Sequence, residues 1–238
     1  MLSVDEYQSV LERDSTIVEG LLRTADLSAS VPGCPGWNVA DLARHLGGVH
    51  RWAHDALITG AAGERPQGPD GRDDLVAWFA EGASRLVALL RRTDPNSPAW
   101  TFGPPPRTAA FWSRRQAHET SMHLGDAQRA LTLPVATNAE FAADGVDEIA
   151  TMFFPSRVRR GVTPVLERGL RVVLTDLGDT AFVIAGDGTD PTAPTAATLR
   201  GPAADVLLVL WRRADVGALV VEGDRAVVSD VLAAGITP

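Results

Sequence analysis

The sequence predicts a two-domain protein, in which an all-α four-helix bundle is followed by a small α+β domain. Before residue 155, stretches with apolar residues at three- and four-residue spacings alternate with Gly/Pro-rich loops, a pattern typical of amphipathic helices. After Pro155, β-branched runs of strand length appear. All five histidines and the single cysteine lie before residue 124. This asymmetry predicts a helical domain over residues 1–155 and an α+β domain over residues 156–238.

The helical half contains five predicted helices. In the first, apolar residues recur at helical spacing from Val4 to Leu22, which indicates one buried face. Asn38 is a favourable N-cap with Asp41 three residues later, a partial capping box that predicts where the second helix begins. The predicted helices cover residues 3–27, 38–59, 71–92, 108–131 and 138–154.

The second half mixes strands with helices. LRVVLTDL and AFVIAG are β-branched runs with a Gly-Asp turn signal between them, which predicts a hairpin. TAATLRG and ALVVEGD are two further strand candidates. PAADVLLVLWRR predicts a helix that starts at Pro202, and RAVVSDVLAA predicts a last helix. Short strands mixed with helices in this way are typical of a small α+β domain.

Composition and charge exclude several classes of protein. The net charge of −8, with arginine as the only basic residue besides histidine, argues against sequence-independent nucleic-acid binding, which needs clustered positive charge. No apolar run approaches the roughly 20 residues that span a bilayer, and the N-terminal stretch MLSVDEYQSV is acidic where a signal peptide is basic. A single cysteine, Cys34, excludes an internal disulfide. We therefore expect a cytoplasmic protein that binds neither nucleic acid nor membrane.

Helical geometry separates the three histidines of the second helix. His45 shares a face with Leu42 and Val49 and so lies on the apolar stripe. His50 and His54 fall about 140° and about 180° away from His45 around the helix axis. We therefore expect His45 to face inward and the other two to be solvated.

On the fourth helix, the same geometry places ionisable and bulky apolar side chains together on one broad face. His118 is turned about 100° from Glu119 and is the weaker candidate for a site residue. Burying an unpaired carboxylate or imidazole is costly, so such groups need a partner or an ion. The residues of this face are Trp112, Arg115, Glu119, Met122, His123, Asp126 and Ala130.

Two interpretations of these residues remain open. In the first, His45 is a core histidine with a backbone partner, and Glu119 forms a salt bridge with Arg115, since buried polar groups are usually satisfied. In the second, His45, Glu119 and His123 form a three-ligand set with an open fourth position, which is how catalytic zinc is held. Asp126, one turn beyond His123, would then orient an imidazole.

Two N-terminal segments carry a family resemblance. VPGCPGWNVADLARHLGGVHRWA, residues 31–53, and WSRRQAHETSMHLGDAQRA, residues 112–130, together resemble the mycothiol-dependent maleylpyruvate isomerase family. LLVLWRRADVGALVVEGD more loosely resembles the C-terminal domain of that family. The resemblance implies a DinB-like metal-binding four-helix bundle, followed by an α+β domain similar to sterol-carrier-like folds.

The resemblance also implies site residues and cofactors. The family binds a divalent metal, usually zinc, through a histidine of the second helix and the Glu and His of an H-E-x-x-x-H segment, which here are His45, Glu119 and His123. An arginine after a tryptophan in the C-terminal domain serves the active site, and Arg213 is its match. The family pattern Trp-Gly-Arg is Trp-Arg-Arg in this sequence, so Arg212 is the alternative match. A third possibility is that the arginine has no role in the site and is a solvated residue at a helix C-terminus, where the helix dipole favours positive charge.

Three further residues of these segments have expected structural roles. Cys34 lies in the loop PGCPG, and we expect it to be a small packed residue and not a nucleophile or a ligand. Trp37 and Trp112 are expected to wall the cavity or to pack the bundle.

The chemistry implied by the resemblance uses mycothiol as the thiol cosubstrate. A low-molecular-weight thiol at an open metal position would coordinate as thiolate and add to an electrophilic carbon of a small organic substrate, whose carboxylate Arg213 would bind. The outcome would be isomerisation or S-transfer. Two other hypotheses remain: a metal-dependent hydrolase with Asp126 as general base, and a non-catalytic binding protein whose metal site has four protein ligands.

Overall fold

Four long helices form the first of two units in the computed structural model, which describes residues 2–238. This unit comprises residues 2–136, and the second comprises residues 137–238. The helices are α1 (Val4–Thr24), α2 (Val39–Thr59), α3 (Arg72–Arg92) and α4 (Ala110–Ala130). Each begins and ends within about three residues of its predicted bounds, because amphipathic spacing and breaker residues are local signals. None of the helices in residues 2–238 has the length and apolarity of a transmembrane span.

The N-terminus of α2 is fixed by the predicted capping box. The Asp41 backbone N–H donates to Asn38 Oδ1 at 2.9 Å, and the Asn38 backbone N–H donates to Asp41 Oδ2 at 3.1 Å. Such a cap satisfies backbone donors that have no partner inside the helix and contributes about 1 kcal/mol. It therefore sets the rotation and start of the helix that carries His45.

Helices α2 and α4 are antiparallel neighbours. His45 lies at Glu119, while Trp52, seven residues further along α2, lies at Trp112, seven residues earlier in α4. Apolar side chains from all four helices and from the loop before α2 pack together in one core. This core includes Val18, Leu22, Val31, Leu42, Leu46, Leu75, Phe79 and Leu124.

The second unit begins with a helical segment that changes pitch. Helix α5 (Ala139–Glu148) is followed by a π-helical turn (Ile149–Phe153) and by α6 (Phe154–Arg159). A proline in a helix loses one hydrogen bond and crowds the carbonyl four residues earlier, and the wider π turn directly before Pro155 makes room for it. Helix α5 packs against a helix of this same unit, α7 (Ala203–Leu210).

A four-stranded sheet completes the second unit. Its strands are β1 (Leu166–Leu174), β2 (Thr180–Gly186), β3 (Thr195–Gly201) and β4 (Val220–Gly223), in the order β2-β1-β3-β4. The predicted hairpin is confirmed, because β1 and β2 are antiparallel neighbours. Strand β3 is parallel to β1 and antiparallel to β4. Helix α8 (Arg225–Ala233) packs on β1 and β3, so the predicted fold class, a helical bundle followed by a small α+β domain, is confirmed.

Helix α7 ends in a Schellman motif that contains both arginines considered for the site. The Arg212 N–H donates to the Val209 carbonyl at 2.9 Å, and the Arg213 N–H donates to the Leu208 carbonyl at 2.7 Å. Arg212 has φ of 57°, the left-handed conformation that favours glycine. A glycine at this position, as in the pattern Trp-Gly-Arg, would adopt the same conformation without strain, which supports the predicted alignment of Arg213 with the arginine of that pattern.

We expect Arg212→Gly to raise the free energy of unfolding by about 1 kcal/mol, because the left-handed conformation costs a residue with a Cβ about that much. Urea denaturation of the two proteins measures the difference. Arg212→Ala is the matched control, since it removes the same charge but keeps the Cβ. An equal gain from both variants would contradict the backbone explanation and would assign the effect to the charge.

Candidate active site

Three side chains from α2 and α4 converge on one point. His45 Nε2 lies 3.1 Å from Glu119 Oε1, and His123 Nε2 lies 3.6 Å from the same oxygen. The nearest ligand atoms of the three residues all lie within 4.8 Å of one another. The structure thus brings together the three residues that helical geometry and the family resemblance select from segments more than seventy residues apart.

The spacing of these atoms suits a metal ion. Two ligands of a tetrahedral zinc ion, each about 2.0–2.1 Å from it, are roughly 3.3 Å apart, and the separations of 3.1 and 3.6 Å from Glu119 Oε1 lie on either side of that value. A set of two imidazoles and one carboxylate is also a recurring donor set for zinc. His45, Glu119 and His123 could therefore hold such an ion with little rearrangement.

Arg115 pairs with the other oxygen of the Glu119 carboxylate. Its Nη2 lies 2.8 Å from Glu119 Oε2, and its side chain is only 3% exposed. Burial by itself raises the pKa of Glu119, but hydrogen bonds with His123 and His45 and the charge of Arg115 outweigh burial and hold that pKa well below its usual range. The carboxylate is thus ionised, with Oε2 engaged and Oε1 turned towards the two imidazoles.

Asp126 lies behind His123. Its Oδ2 is 3.2 Å from His123 Nδ1, the ring nitrogen opposite the one that approaches Glu119, and the residue is 1% exposed. Burial lowers the pKa of His123, but hydrogen bonding with Asp126, Cys34 and Glu119 outweighs burial and raises that pKa well above its usual range. The two carboxylates on either side of the ring therefore favour the protonated form of the imidazole.

The loop before α2 supplies two more side chains through a pair of consecutive β-turns. The Cys34 N–H donates to the Val31 carbonyl at 3.0 Å, and the Trp37 N–H donates to the Cys34 carbonyl at 3.0 Å. Each turn has proline second and glycine third, and Gly36 has φ of 85°, as a type II turn requires. The segment PGCPGW is therefore a rigid frame that presents Cys34 and Trp37 to the helices.

Trp37 covers both imidazoles. The centroid of its ring system lies 4.8 Å from that of His45 and 6.1 Å from that of His123. The sequence predicts that Trp37 walls a cavity or packs the bundle, and the structure places it against the candidate ligands. Trp112 is fully buried instead, and its Nε1 donates to the Trp100 carbonyl at 2.8 Å, so its position is that of a packing residue.

The predictions for His50 and His54 are wrong. His50 is 0% exposed, His54 is 7% exposed, and His50 Nε2 lies 2.9 Å from Thr120 Oγ1. Helix α2 packs against both α3 and α4, so its buried arc is wider than one apolar stripe. Gly47 is the residue in the sequence that could have indicated the second buried side of α2, since a glycine inside a helix often has a packing reason. In the structure, a Cβ at Gly47 would lie 2.3 Å from the Trp78 ring.

The remaining candidates lie apart from the three convergent residues or in the other unit. His118 packs edge-on against Tyr7 of α1 at 6.1 Å between ring centroids, in line with its predicted turn away from Glu119. Arg213 belongs to the second unit, where its Nη1 donates to the Trp211 carbonyl at 2.9 Å. Its role in binding substrate stays a prediction.

Comparisons with known proteins agree over most of the chain. A family model described as "Mycothiol maleylpyruvate isomerase N-terminal domain" matches residues 13–128, and one described as "MDMPI C-terminal domain" matches residues 140–230. A crystal structure of the mycothiol-dependent maleylpyruvate isomerase matches with a TM-score of 0.63 and 15% identity, over 94% of this chain and 95% of that one. A histidine-to-alanine mutant of the same description matches with a TM-score of 0.65 and 13% identity over the same shares. No curated protein matches.

His50 is expected to make folding sensitive to acid. Burial lowers its pKa from 6.5 to about 3, so between these values the unfolded chain binds a proton that the folded chain does not. The free energy of unfolding is therefore lost as pH falls below about 6.5, by about 1.4 kcal/mol per pH unit from this group. Urea denaturation at several pH values between about 7 and about 4.5 measures the loss.

His50→Gln keeps a hydrogen-bonding side chain opposite Thr120 and removes the titration, so its stability should fall less steeply with acid than that of the parent. His54→Gln makes the same replacement at another histidine of the helix and serves as the control for the substitution itself. Parallel loss of stability in the parent and in His50→Gln would refute the assignment to His50.

Proposed function

Because the chain belongs to the mycothiol-dependent maleylpyruvate isomerase family, we propose that it is a metal- and thiol-dependent enzyme that acts on a small electrophilic organic substrate by isomerisation or S-transfer. The observation that carries the proposal is the convergence of His45, Glu119 and His123 on one point, with a buried carboxylate behind His123. This arrangement is what an open three-ligand metal site requires.

A divalent ion, most readily zinc, would be held by His45, Glu119 and His123. When bound there, it supplies the chemistry that this chain lacks, by stabilising a low-molecular-weight thiol such as mycothiol as its thiolate at neutral pH. The need for an external thiol is supported by the position of the only cysteine. Cys34 contacts Asp126 on the Nδ1 edge of His123, opposite the edge that approaches Glu119.

The surrounding residues prepare the three ligands. Asp126 Oδ2 lies 3.2 Å from His123 Nδ1 and so favours the tautomer with its hydrogen on Nδ1, whose Nε2 lone pair would face the centre of the set. Arg115 keeps Glu119 ionised through Oε2 and so leaves Oε1 available. Trp37 covers one side of both imidazoles and keeps water from that side of the site.

The reaction that we propose would begin with addition of the external thiolate to an electrophilic double bond of a small organic acid. The sulfur forms a bond to one carbon, the double bond becomes single, and its electron pair moves to the electron-withdrawing group. Rotation and expulsion of the thiolate give the geometric isomer, whereas protonation of the adduct gives an S-conjugate. Arg213 is our candidate for binding the substrate carboxylate by two parallel hydrogen bonds, and Arg212 is the alternative.

The hydrolase alternative has weaker support. It needs a general base that reaches a water molecule in the site, and Asp126 is the carboxylate that the sequence offers. Asp126 is buried and its Oδ2 lies against His123 Nδ1, on the ring edge opposite Glu119. It is therefore better placed to orient the imidazole than to activate water.

We expect His45→Ala and His123→Ala to lower zinc affinity by at least about 100-fold, since each removes a ligand. Asp126→Asn should lower zinc affinity about 10- to 100-fold, because it weakens the interaction that orients His123. Competition with a chromophoric chelator measures the affinity. His54→Ala removes a histidine from the same helix outside the convergent set and should bind zinc like the parent. Unchanged zinc affinity in both ligand variants would show that the metal site is wrongly assigned.

We also expect zinc-loaded protein to convert maleylpyruvate-like acids or simple conjugation substrates only when mycothiol or another low-molecular-weight thiol is present. Chromatography of the products distinguishes a geometric isomer from an S-conjugate. Arg213→Ala should raise KM for carboxylated substrates more than for uncharged ones, and Arg92→Ala, a surface arginine of α3, should leave both unchanged. Turnover of an ester or amide without thiol would instead favour the hydrolase.

A further inference from the structure

A second group of metal-binding side chains lies on the other edge of the His123 ring. The nearest ligand atoms of Cys34, His123 and Asp126 all lie within 4.8 Å of one another. Cys34 Sγ is 3.6 Å from Asp126 Oδ2, and His123 Nδ1 is 3.2 Å from the same oxygen. We propose that these three residues form a separate site for a thiophilic divalent cation, such as Cd²⁺ or Zn²⁺.

The distances between donors match those of a tetrahedral ion. Sulfur about 2.3 Å and oxygen about 2.0 Å from zinc are roughly 3.5 Å apart, and nitrogen and oxygen ligands are roughly 3.3 Å apart. Both observed separations agree with these values to about 0.1 Å.

The charge and burial of the group favour a cation. A thiolate and a carboxylate together balance a divalent ion, and Asp126 is fully buried, where the attraction between opposite charges is strong. His123 Nδ1 is a buried atom without a well-aligned hydrogen bond, although it lies close to Asp126. Cys34 is half-buried in its loop.

Use of this site would compete with use of the site at Glu119. An imidazole that binds a metal through Nδ1 keeps its hydrogen on Nε2, unless it loses both hydrogens and bridges two ions. A thiophilic cation at Cys34 therefore withdraws His123 from the set that contains His45 and Glu119. Binding also releases the proton of the Cys34 thiol, because the thiolate is the ligand.

Titration of the reduced, metal-free full-length protein with Cd²⁺, in buffer without added thiol, tests the proposal. Cadmium bound to a thiolate gives a charge-transfer absorption in the ultraviolet, and the chain has one cysteine, so the band reports on Cys34 alone. We expect the band in the parent and its loss in Cys34→Ser and Cys34→Ala, with circular dichroism confirming that both variants are folded. Asp126→Asn should weaken Cd²⁺ binding at this site about 10-fold or more.

The variants His45→Ala and Glu119→Gln separate this site from the one in the proposed function. Both should keep the cadmium–thiolate band, because they leave Cys34, Asp126 and His123 in place. Loss of the band in these variants would show that Cys34 binds metal only as part of the first site. Absence of the band from the parent at saturating Cd²⁺ would refute the second site and would leave the zinc affinities and thiol-dependent turnover unaffected.

Discussion

The carboxylate of Glu119, which is only 18% exposed, is the constraint on which the centre of the bundle depends. An ionised carboxylate in a helical core is stable only if positive or hydrogen-donating groups surround it. Arg115 neutralises one oxygen, and His45 and His123 approach the other. These partners come from α2 and α4, so Glu119 has its full set of partners only when the two helices pack in their antiparallel contact.

The loop before α2 extends this arrangement without adding charge. Its two Pro-Gly turns fix Trp37 over the imidazoles and hold Cys34 beside Asp126. His123 has a carboxylate beside each ring nitrogen, Glu119 at Nε2 and Asp126 at Nδ1. His123 is therefore the residue through which the proposed catalytic site and the proposed thiophilic site would affect one another. The ring would bind a metal through Nε2 in the first site and through Nδ1 in the second, and each use needs the hydrogen on the other nitrogen.

Sequence reasoning succeeded where a local rule sufficed. Counting about 100° per residue identified the inward position of His45 and the shared face of Glu119 and His123. The same counting failed for His50 and His54, because it assumed one buried stripe on a helix that has neighbours on two sides. The pitch change before Pro155 was also missed, since apolar spacing alone does not distinguish an α-turn from a π-turn.

The sequence by itself determined the helices, the capping box at Asn38, the turns around Cys34, the hairpin and the family, because each is encoded in contiguous residues. Only the tertiary structure decided that His45 meets Glu119, because the two residues lie on different helices, whereas the i,i+4 pair of Arg115 and Glu119 follows from spacing within α4. The tertiary structure alone showed that Arg212 occupies a left-handed position and that Cys34 lies within reach of His123. Distances between side chains on different elements, and hence the pKa shifts, depend on how helices pack, and packing is set by the whole core.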